Sequence, residues 1–265
     1  MNVFDEMANY WAEIADKSST DKQIQFLKNR LKAKEPVLDL ACGTGRHLIS
    51  LAEDGYSIVG LDLSLNLLKI AKKRKSDLQL VRGDMRFLPF KSEAFSAAIS
   101  MDTSFGYLPS EIEDIQSLIE LSKTIIQGGV FNIDVFNREQ LILKYKANLL
   151  SRFKWALLPS LLKADRSAKW VLFNFFKWKE YPSFFLLQKR KVDSKCEQLQ
   201  DLWVIRDKSD GKIRVFYHNV RLYEMNHLQC LLENAGFIVS QVYGSYEGKN
   251  FDTKSSKLVL VAHKK

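Results

Sequence analysis

The sequence predicts an α/β fold, with helices on both faces of a mostly parallel sheet and an inserted segment of helical and antiparallel β character. Three observations support this prediction. Apolar runs typical of buried strands alternate with amphipathic helical patterns over residues 36–136. A turn with Gly43 and Gly45 joins the first strand to its helix. The alternation stops after residue 137 and returns with a helix at 223–235. Strands that alternate with helices imply a parallel sheet.

The chain begins with two amphipathic patterns, which predict helices at 2–16 and 21–33. Ser19 or Thr20 is expected to cap the second of them. The elements that follow are expected as strand 36–41, helix 45–54, strand 56–61, helix 64–75, strand 78–83 and strand 95–101. The hydrophobic period therefore changes from helical to strand-like at regular intervals in this part of the chain.

Polar residues and glycines predict where these helices begin and end. Ser64 is expected to cap the helix that it begins. Ser110 and Glu113 have the spacing of a capping box, in which each side chain bonds the backbone of the other residue. Gly128 and Gly129 would then end the helix that Ser110 begins.

The second half of the chain is expected to contain more strands than helices. A hairpin turn is expected around Ser209-Asp210-Gly211. The expected elements are strand 130–136, strand 184–192, strand 198–207, strand 212–220, helix 223–235, strand 237–243 and strand 257–263. The last helix and the strands around it restore the alternation of the first half.

The segment from Arg138 to Lys195 differs from the rest of the chain in charge and aromatic content. It holds 14 Lys or Arg residues and 4 Asp or Glu residues, a net charge of +10, and it also holds eleven aromatic residues. The net charge of the whole chain is +9, so the rest of the chain is close to neutral. Four of its bulkiest aromatic residues are Trp155, Trp170, Trp178 and Tyr181. We therefore assign residues 1–136 and 220–265 to a core domain, and residues 137–219 to a basic, aromatic-rich insertion.

Composition limits the class of protein. The chain has 265 residues, 46% of them hydrophobic, which is enough to bury a sizeable core. Its N-terminus lacks the pattern of a signal peptide, and no apolar run approaches the roughly 18 residues that a spanning helix needs. The three cysteines form no CxxC pair, and the four histidines have no metal-ligand spacing. We expect a cytoplasmic protein without a metal site.

The turn after the first strand indicates which kind of ligand the fold holds. Gly43 and Gly45 allow a sharp turn and a close approach to a ligand, and the amides of the next helix favour negative charge. A dinucleotide-binding turn would have a third glycine at position 48, where this chain has Leu48. No Gly-Lys-Ser/Thr follows, as a P-loop would require. The turn therefore suits a carboxylate or a ribose better than a pyrophosphate.

Acidic residues follow the second and third strands. Asp62 ends the second strand, where it can accept hydrogen bonds from two ribose hydroxyls; helix capping is the alternative role. Asp84 follows the third strand and precedes the apolar residues Met85 and Phe87. This pattern suits an adenine whose amine donates to the carboxylate and whose ring packs between side chains. The fourth strand ends in AISMDTSFGYL, whose tip would face the same crevice.

Four stretches, in this order and spacing, resemble the class I S-adenosylmethionine-dependent methyltransferases, and in particular the members that act on small molecules: DLACGTG, GLDLS, GDMRFLPF and AISMDTSFGYL. The resemblance covers residues 1–136 and 220–265. It implies a Rossmann-like sheet with an antiparallel last strand. It also implies S-adenosyl-L-methionine as the cofactor and methyl transfer as the activity.

The same resemblance implies roles for individual residues. The turn from Asp39 to Gly45 would lie along the methionine part of the cofactor. Leu63 would pack on adenine, and Tyr10 would cover the methionine end, with simple core packing as the alternative for Tyr10. The expected cofactor-binding residues are Tyr10, Asp39, Ala41, Cys42, Gly43, Gly45, Arg46, Asp62, Leu63, Asp84, Met85 and Met101.

The methyl acceptor is less well defined. The chain lacks the Asn/Asp-Pro-Pro-Tyr motif that DNA and protein amide methylators of the family place after the fourth strand. The candidate pocket residues at that position are Asp102, Ser104, Phe105 and Tyr107. The candidate catalytic residues are Asp102, Tyr107 and His218, and Tyr217 and Arg221 are polar residues close to the last of these. Asp102 would orient or deprotonate the acceptor, or else cap the loop. His218 would act as a base near neutral pH, or else be an ordinary surface or core residue.

Three roles are open for the insertion. It would form a lid over the substrate pocket, or its residues 150–190 would contact a membrane surface, or its basic and aromatic residues would bind RNA. We expect the lid, and a methyltransferase that acts on a small molecule by in-line displacement. The alternatives are a membrane-associated lipid or quinone-like acceptor, RNA, and a protein that binds the cofactor without catalysis.

Overall fold

The computed structural model describes residues 3–16, 20–32, 35–146, 177–193, 195 and 197–265. The chain divides into two compact units. The first unit comprises Met1–Gln140 and Arg221–Lys265, and the second comprises Leu141–Val220. The sequence placed the corresponding divisions after residues 136 and 219.

Eleven strands are described, and we number them along the chain. They are β1 (Val37–Leu40), β2 (Ile58–Asp62), β3 (Gln79–Arg82), β4 (Phe95–Ser100), β5 (Ile125–Phe136), β6 (Lys179–Glu180), β7 (Phe184–Val192), β8 (Gln198–Asp207), β9 (Ile213–Arg221), β10 (Phe237–Tyr243) and β11 (Lys257–Lys264). The first unit contains a seven-stranded sheet in the order β10-β11-β5-β4-β1-β2-β3. Neighbours from β5 to β3 are parallel, whereas β11 is antiparallel to both β5 and β10. The mostly parallel sheet with an antiparallel last strand is therefore confirmed.

The described helices are α1 (Val3–Glu6), α2 (Ala8–Asp16), α3 (Asp21–Lys28), α4 (Arg46–Glu53), α5 (Leu65–Arg74), α6 (Glu111–Thr124), α7 (Arg138–Lys146) and α8 (Met225–Asn234). The expected helix at 2–16 thus consists of two helices separated at Met7. Thr20 occupies the N-cap position of α3 without a side-chain cap bond. Its hydroxyl accepts a hydrogen bond from Arg46 instead (2.6 Å).

Two of the expected helix caps are confirmed. The Ser64 hydroxyl accepts a hydrogen bond from the backbone of Leu67 at the start of α5 (3.2 Å). Ser110 and Glu113 form a complete capping box at the start of α6. These caps depend on residues within one turn of each other, so a local sequence pattern is enough to predict them.

The prediction that the glycine pair ends α6 is wrong. The helix ends at Thr124, and β5 begins at the next residue, so Gly128 and Gly129 lie inside the strand. The pairing of β4 with β5 shifts in register at this point, and Gly128 has a φ angle of 75°. A Cβ at Gly129 would lie 2.7 Å from the backbone oxygen of Ser96. The glycines therefore allow an irregularity in the strand and a close approach to β4.

Hydrophobic residues pack on both faces of the seven-stranded sheet. Alternate residues of β11 belong to different clusters: Leu258, Leu260 and Ala262 to one, and Val259 and Val261 to the other. The first cluster includes buried residues of α6 and α8, and the second includes buried residues of α3, α4 and α5. This alternation confirms that helices cover both faces.

The second unit contains a four-stranded sheet in the order β6-β7-β8-β9. β7 and β8 are antiparallel, from the pair of Phe184 and Asp207 to the pair of Val192 and Leu199. The expected hairpin between β8 and β9 is confirmed, because Gly211 at this turn donates a hydrogen bond to the Asp207 carbonyl (3.0 Å). Residues 147–176, which include Trp155 and Trp170 and about half of the basic and aromatic segment, lie outside the described residues. Within the described ranges, no helix is long and apolar enough to span a bilayer.

Candidate active site

The turn between β1 and α4 has an unusual backbone. Ala41, Gly43 and Gly45 have φ angles of 60°, 55° and 76°. A Cβ added at Gly43 would meet no described atom within 4 Å, so the backbone there is open to a ligand. Helix α4 begins at Arg46, directly after this turn, and the backbone N–H groups at the start of a helix favour negative charge.

Cys42 packs the same turn against β2. A Cβ at Gly60 would lie 2.7 Å from the Sγ atom of Cys42, so the close contact requires a glycine in β2. The Cys42 side chain is buried, and burial raises the pKa of its thiol well above the ordinary value. The thiol therefore stays protonated and acts as a packing group. The sequence analysis did not identify Gly60, although it lies two residues before Asp62.

Asp62 connects the glycine turn to the start of α5. The backbone N–H of Gly43 donates to one carboxylate oxygen (2.8 Å), and the backbone N–H of Ser64 donates to the other (2.8 Å). Burial raises the pKa of Asp62, and the two backbone donors oppose this effect. Each carboxylate oxygen has two lone pairs and can accept a second hydrogen bond, so both oxygens can still accept from the hydroxyls of a diol.

Asp39 is the second buried carboxylate of this region. It lies on β1 with 1% of its surface exposed, and its Oδ2 atom has no hydrogen-bond partner among the described residues. Burial, followed by repulsion from Asp62, raises the pKa of Asp39 to about 7. A buried acceptor without a donor is uncommon in a protein interior and calls for a specific explanation.

Asp84, the acidic residue after β3, forms an ion pair with Arg86. The guanidinium donates to both carboxylate oxygens, at 3.0 Å from Nε and 2.6 Å from Nη2. These bonds hold the pKa of Asp84 below its ordinary value. Arg86 also forms an ion pair with Glu113 at the start of α6. Met85 packs against the core, whereas 69% of the Phe87 surface is exposed.

Helix α1 contacts the ends of two strands. The Ser64 hydroxyl donates to the Asp5 carboxylate (2.6 Å), next to the end of β2. The ring of Phe4 packs edge-on against Tyr107, after β4, with 5.2 Å between centroids. Tyr10 of α2 is buried, with 9% of its surface exposed. The N-terminal helices therefore lie beside the expected cofactor and acceptor residues, and α1 links them.

Asp102, after β4, lies beside Arg46. The Arg46 guanidinium forms an ion pair with one Asp102 oxygen, and the Gln23 amide donates to the other oxygen (2.8 Å). Gln23 also bonds the Nε2 atom of His47 (2.9 Å). Burial, with the nearby charges of Arg46 and Lys257, lowers the pKa of His47 to about 3, so its ring is neutral. The sequence analysis expected Arg46 and Asp102 in the site, but not their pairing.

Tyr107 and Asp102 belong to the first unit, and His218 belongs to the second. The Nε2 atom of His218 lies 3.6 Å from the Asp201 carboxylate, and the His218 ring packs edge-on against Trp203 at 5.3 Å. Burial lowers the pKa of His218, although the Asp201 charge opposes this. Of the remaining expected residues, Met101 is buried and Leu63 is 43% exposed.

Arg221, the last residue of β9, contacts α6 and the loop after β4. It forms an ion pair with the buried Asp114, and its backbone N–H donates to the carbonyl of Gly106 (2.8 Å). The Tyr223 hydroxyl donates to the same Asp114 carboxylate (2.7 Å). Burial raises the pKa of Asp114 to about 6, despite these two partners. Arg221 thus holds the loop after β4 in place.

Comparisons with known proteins agree with this architecture. Residues 37–129 match the family model described as a methyltransferase domain. The chain is 32% identical over 131 residues to a demethylmenaquinone methyltransferase from Paenarthrobacter aurescens, covering 49% of each protein. It is 37% identical over 98 residues to a dTDP-3-amino-3,6-dideoxy-alpha-D-glucopyranose N,N-dimethyltransferase from Streptomyces fradiae, covering 37% of this chain and 38% of that protein. The match therefore spans about half the length of the Paenarthrobacter aurescens relative and 38% of the length of the Streptomyces fradiae relative.

A solved structure resembles the whole chain. The CcbJ methyltransferase from Streptomyces caelestis superposes with a TM-score of 0.73 at 18% sequence identity, and the match covers 99% of this chain and 97% of that one. The fold is therefore that of the class I S-adenosylmethionine-dependent methyltransferases. This fold, and the match of residues 37–129 to a methyltransferase domain model, agree with what the four sequence stretches implied for that part of the chain.

Proposed function

We propose that the protein transfers a methyl group from S-adenosyl-L-methionine to a small-molecule acceptor. The observation that carries this proposal is the pair of buried carboxylates, Asp39 and Asp62, at the open glycine turn of a methyltransferase domain. A pyrophosphate would be repelled by two carboxylates at this position. A ribose diol and an amino group, in contrast, donate hydrogen bonds that both carboxylates can accept.

The described residues fit this cofactor. The open backbone at Gly43 leaves room for the methionine part, and the unpartnered oxygen of Asp39 is an acceptor for an ammonium group. Asp62 would hold the two ribose hydroxyls, and Leu63 and Asp84 would lie against adenine. When bound, the cofactor's sulfonium supplies an electrophilic methyl group. The protein then has to bind the acceptor in line, exclude water and accept a proton where one is released.

The acceptor side would be formed by the loop after β4. Tyr107 of this loop packs against Phe4 of α1, and Asp102 is already engaged by Arg46 and Gln23. We therefore propose that Tyr107 contacts the acceptor and that Asp102 orients the loop. His218 remains a proposed base on the sequence argument, and its partner Asp201 would stabilise the imidazolium that proton transfer forms.

The two relatives named above support a small-molecule acceptor with different chemistry. The Streptomyces fradiae relative is named for an amino sugar nucleotide, and the Paenarthrobacter aurescens relative for a quinone precursor. We propose a cytoplasmic enzyme whose acceptor is a small polar molecule. The lid role of the insertion stays part of this proposal on the sequence argument, in addition to the acceptor residues of the loop after β4.

Metabolite mass spectrometry tests this proposal. The protein should be incubated with S-adenosylmethionine and with polar, lipid and RNA extracts in parallel. We expect a species that gains about 14 Da, the mass of a CH₂ group, in the polar extract only, since in-line transfer adds one methyl and removes one proton. A product in the lipid or RNA extract alone would contradict the acceptor class. The absence of any methylated product, with S-adenosylhomocysteine still bound, would indicate a non-catalytic binding protein.

A further inference from the structure

The turn that follows β4 has a strained backbone. Asp102 and Thr103 both have left-handed φ angles, 57° and 58°. Residues other than glycine are uncommon in this region, and a β-branched residue such as threonine is an outlier there. The strained pair sets the direction in which the chain continues to Tyr107. Strain of this kind persists only where the surrounding structure holds it in place.

Asp134 and Lys257 contact both strained residues. The backbone N–H of Asp102 donates to Oδ1 of Asp134 on β5 (2.5 Å). Lys257 on β11 donates to Oδ2 of Asp134 (2.8 Å) and to the hydroxyl of Thr103 (3.1 Å). Asp134 is fully buried, and the Lys257 side chain is 20% exposed. One ion pair therefore holds the backbone of the first strained residue and the side chain of the second.

A contribution to the stability of the folded chain does not explain why Asp134 and Lys257 form an ion pair here. Removing two charges from water costs free energy that their attraction often fails to return, so a buried ion pair is weak evidence of stabilisation. Here its hydrogen bonds end on the strained turn. The Asp102 side chain is held by Arg46 and Gln23, and the Lys257 ammonium lies 4.0 Å from its Oδ1 atom. The turn is thus fixed from three sides: β5, β11 and the N-terminal part of the unit.

We propose that Asp134 and Lys257 are positioning residues, which hold the left-handed turn at 102–103 and thereby orient Tyr107 at the acceptor side. This inference rests on the proposed function, because the turn matters for methyl transfer only if Tyr107 contacts an acceptor. Tyr107 packs against Phe4 of α1, so its orientation also affects the N-terminal helix. Asp134 acts on the backbone of the turn, and Lys257 acts through Asp134 and through the Thr103 hydroxyl.

Hydrogen exchange of the full chain without ligand tests the inference. In Lys257→Met, which keeps the length of the side chain but removes its charge, protection at residues 100–108 should fall at least tenfold. Protection at 58–74, across β2 and α5, should change less than twofold. Lys257→Arg, which can still donate to both partners, should restore at least half of the lost protection. Thr103→Gly relieves the strain, so in the Lys257→Met background it should also restore at least half of the lost protection.

Lys264→Met is the matched control. Lys264 lies on the same strand, but its ammonium donates to Ser122 (2.6 Å), and its loss should leave residues 100–108 unchanged. If Lys257→Met does not fold, Asp134→Asn takes its place as the test variant. In that variant we expect hydrogen-exchange protection at residues 100–108 to fall two- to fivefold. An unchanged turn, or a loss equal to that at 58–74, overturns the inference. Because no cofactor is added, these results are independent of whether S-adenosylhomocysteine binds, which tests the proposed function.

Discussion

At the scale of single residues, Asp39 and Asp62 are two buried carboxylates whose charged forms are disfavoured by burial. Asp39 has an oxygen without a hydrogen-bond partner in the described part of the chain, and Asp62 raises its pKa further by repulsion. Asp62 is better satisfied, because two backbone N–H groups donate to it. Hydrogen-bond donors of a bound cofactor would supply the partner that the Asp39 oxygen lacks. Binding should therefore be sensitive to small changes at both positions.

Asp62→Asn should weaken the binding of S-adenosylhomocysteine. The asparagine keeps the size of the side chain but replaces one acceptor oxygen with a donor, which would face a backbone N–H or a ribose hydroxyl. A lost bond to a buried group costs about 1–3 kcal/mol, so the dissociation constant should rise roughly tenfold or more. Calorimetric titration measures this change. Asp77→Asn, an exposed residue after α5, is the control and should bind like the wild type. An Asp62→Asn variant with wild-type affinity would remove Asp62 from the site.

The pKa of Asp39 predicts a pH dependence of binding. In the free protein this pKa is raised to about 7, so the carboxyl carries a proton for part of the time at neutral pH. A cofactor ammonium favours the ionised form, so binding should release a proton near pH 6.5, and affinity should fall as the pH drops below 7. Calorimetry in two buffers with different ionisation enthalpies measures the number of protons released. Asp39→Asn should abolish the release; proton uptake by the wild type would contradict the assignment.

At the scale of helices and strands, the predictions that were confirmed are the local ones. Ser64 and the Ser110–Glu113 capping box act within one helical turn, so the sequence pattern is sufficient. The glycine pair at 128–129 was misjudged because glycine suits a helix end and a strand irregularity equally well, and the register with β4 decides between them. Asp134 and Lys257 were not identified, because only the order of β4, β5 and β11 brings them to the turn at 102–103.

Helix α1 should become more protected when the cofactor site is filled. It contacts Ser64 at the end of β2 and Tyr107 after β4, so ligand contacts at either strand end would restrain it. Adding S-adenosylhomocysteine should raise hydrogen-exchange protection at residues 3–16 more than at the core strand 58–62. Asp5→Ala, which removes the carboxylate that accepts from Ser64, should lower protection at 3–16 without ligand. An equal change at both segments would mean that α1 and α2 are a rigid part of the core.

At the scale of the whole molecule, the match to a sequence family covers only part of the chain, whereas the similarity of fold covers nearly all of it. The matched domain model covers residues 37–129, where the glycine turn, Asp62 and Asp84 lie, whereas the similarity to CcbJ covers 99% of the chain at 18% identity. This difference has a physical reason: one cofactor imposes the same contacts on many enzymes, and acceptors of different shape impose different ones. The cofactor side of the site could therefore be predicted from short motifs. The acceptor side could not, because Tyr107 meets Phe4, and Asp134 meets the Asp102 backbone, only in the folded unit.

Calorimetric titration of the wild-type chain with S-adenosylhomocysteine, and separately with NAD, distinguishes the two cofactors that a sheet of this kind can hold. We expect one site for S-adenosylhomocysteine with a dissociation constant in the micromolar range, which corresponds to about −8 kcal/mol. We expect no binding of NAD, because the turn lacks the third glycine and presents two buried carboxylates where a pyrophosphate would lie. Tight binding of NAD, with none of S-adenosylhomocysteine, would contradict both expectations.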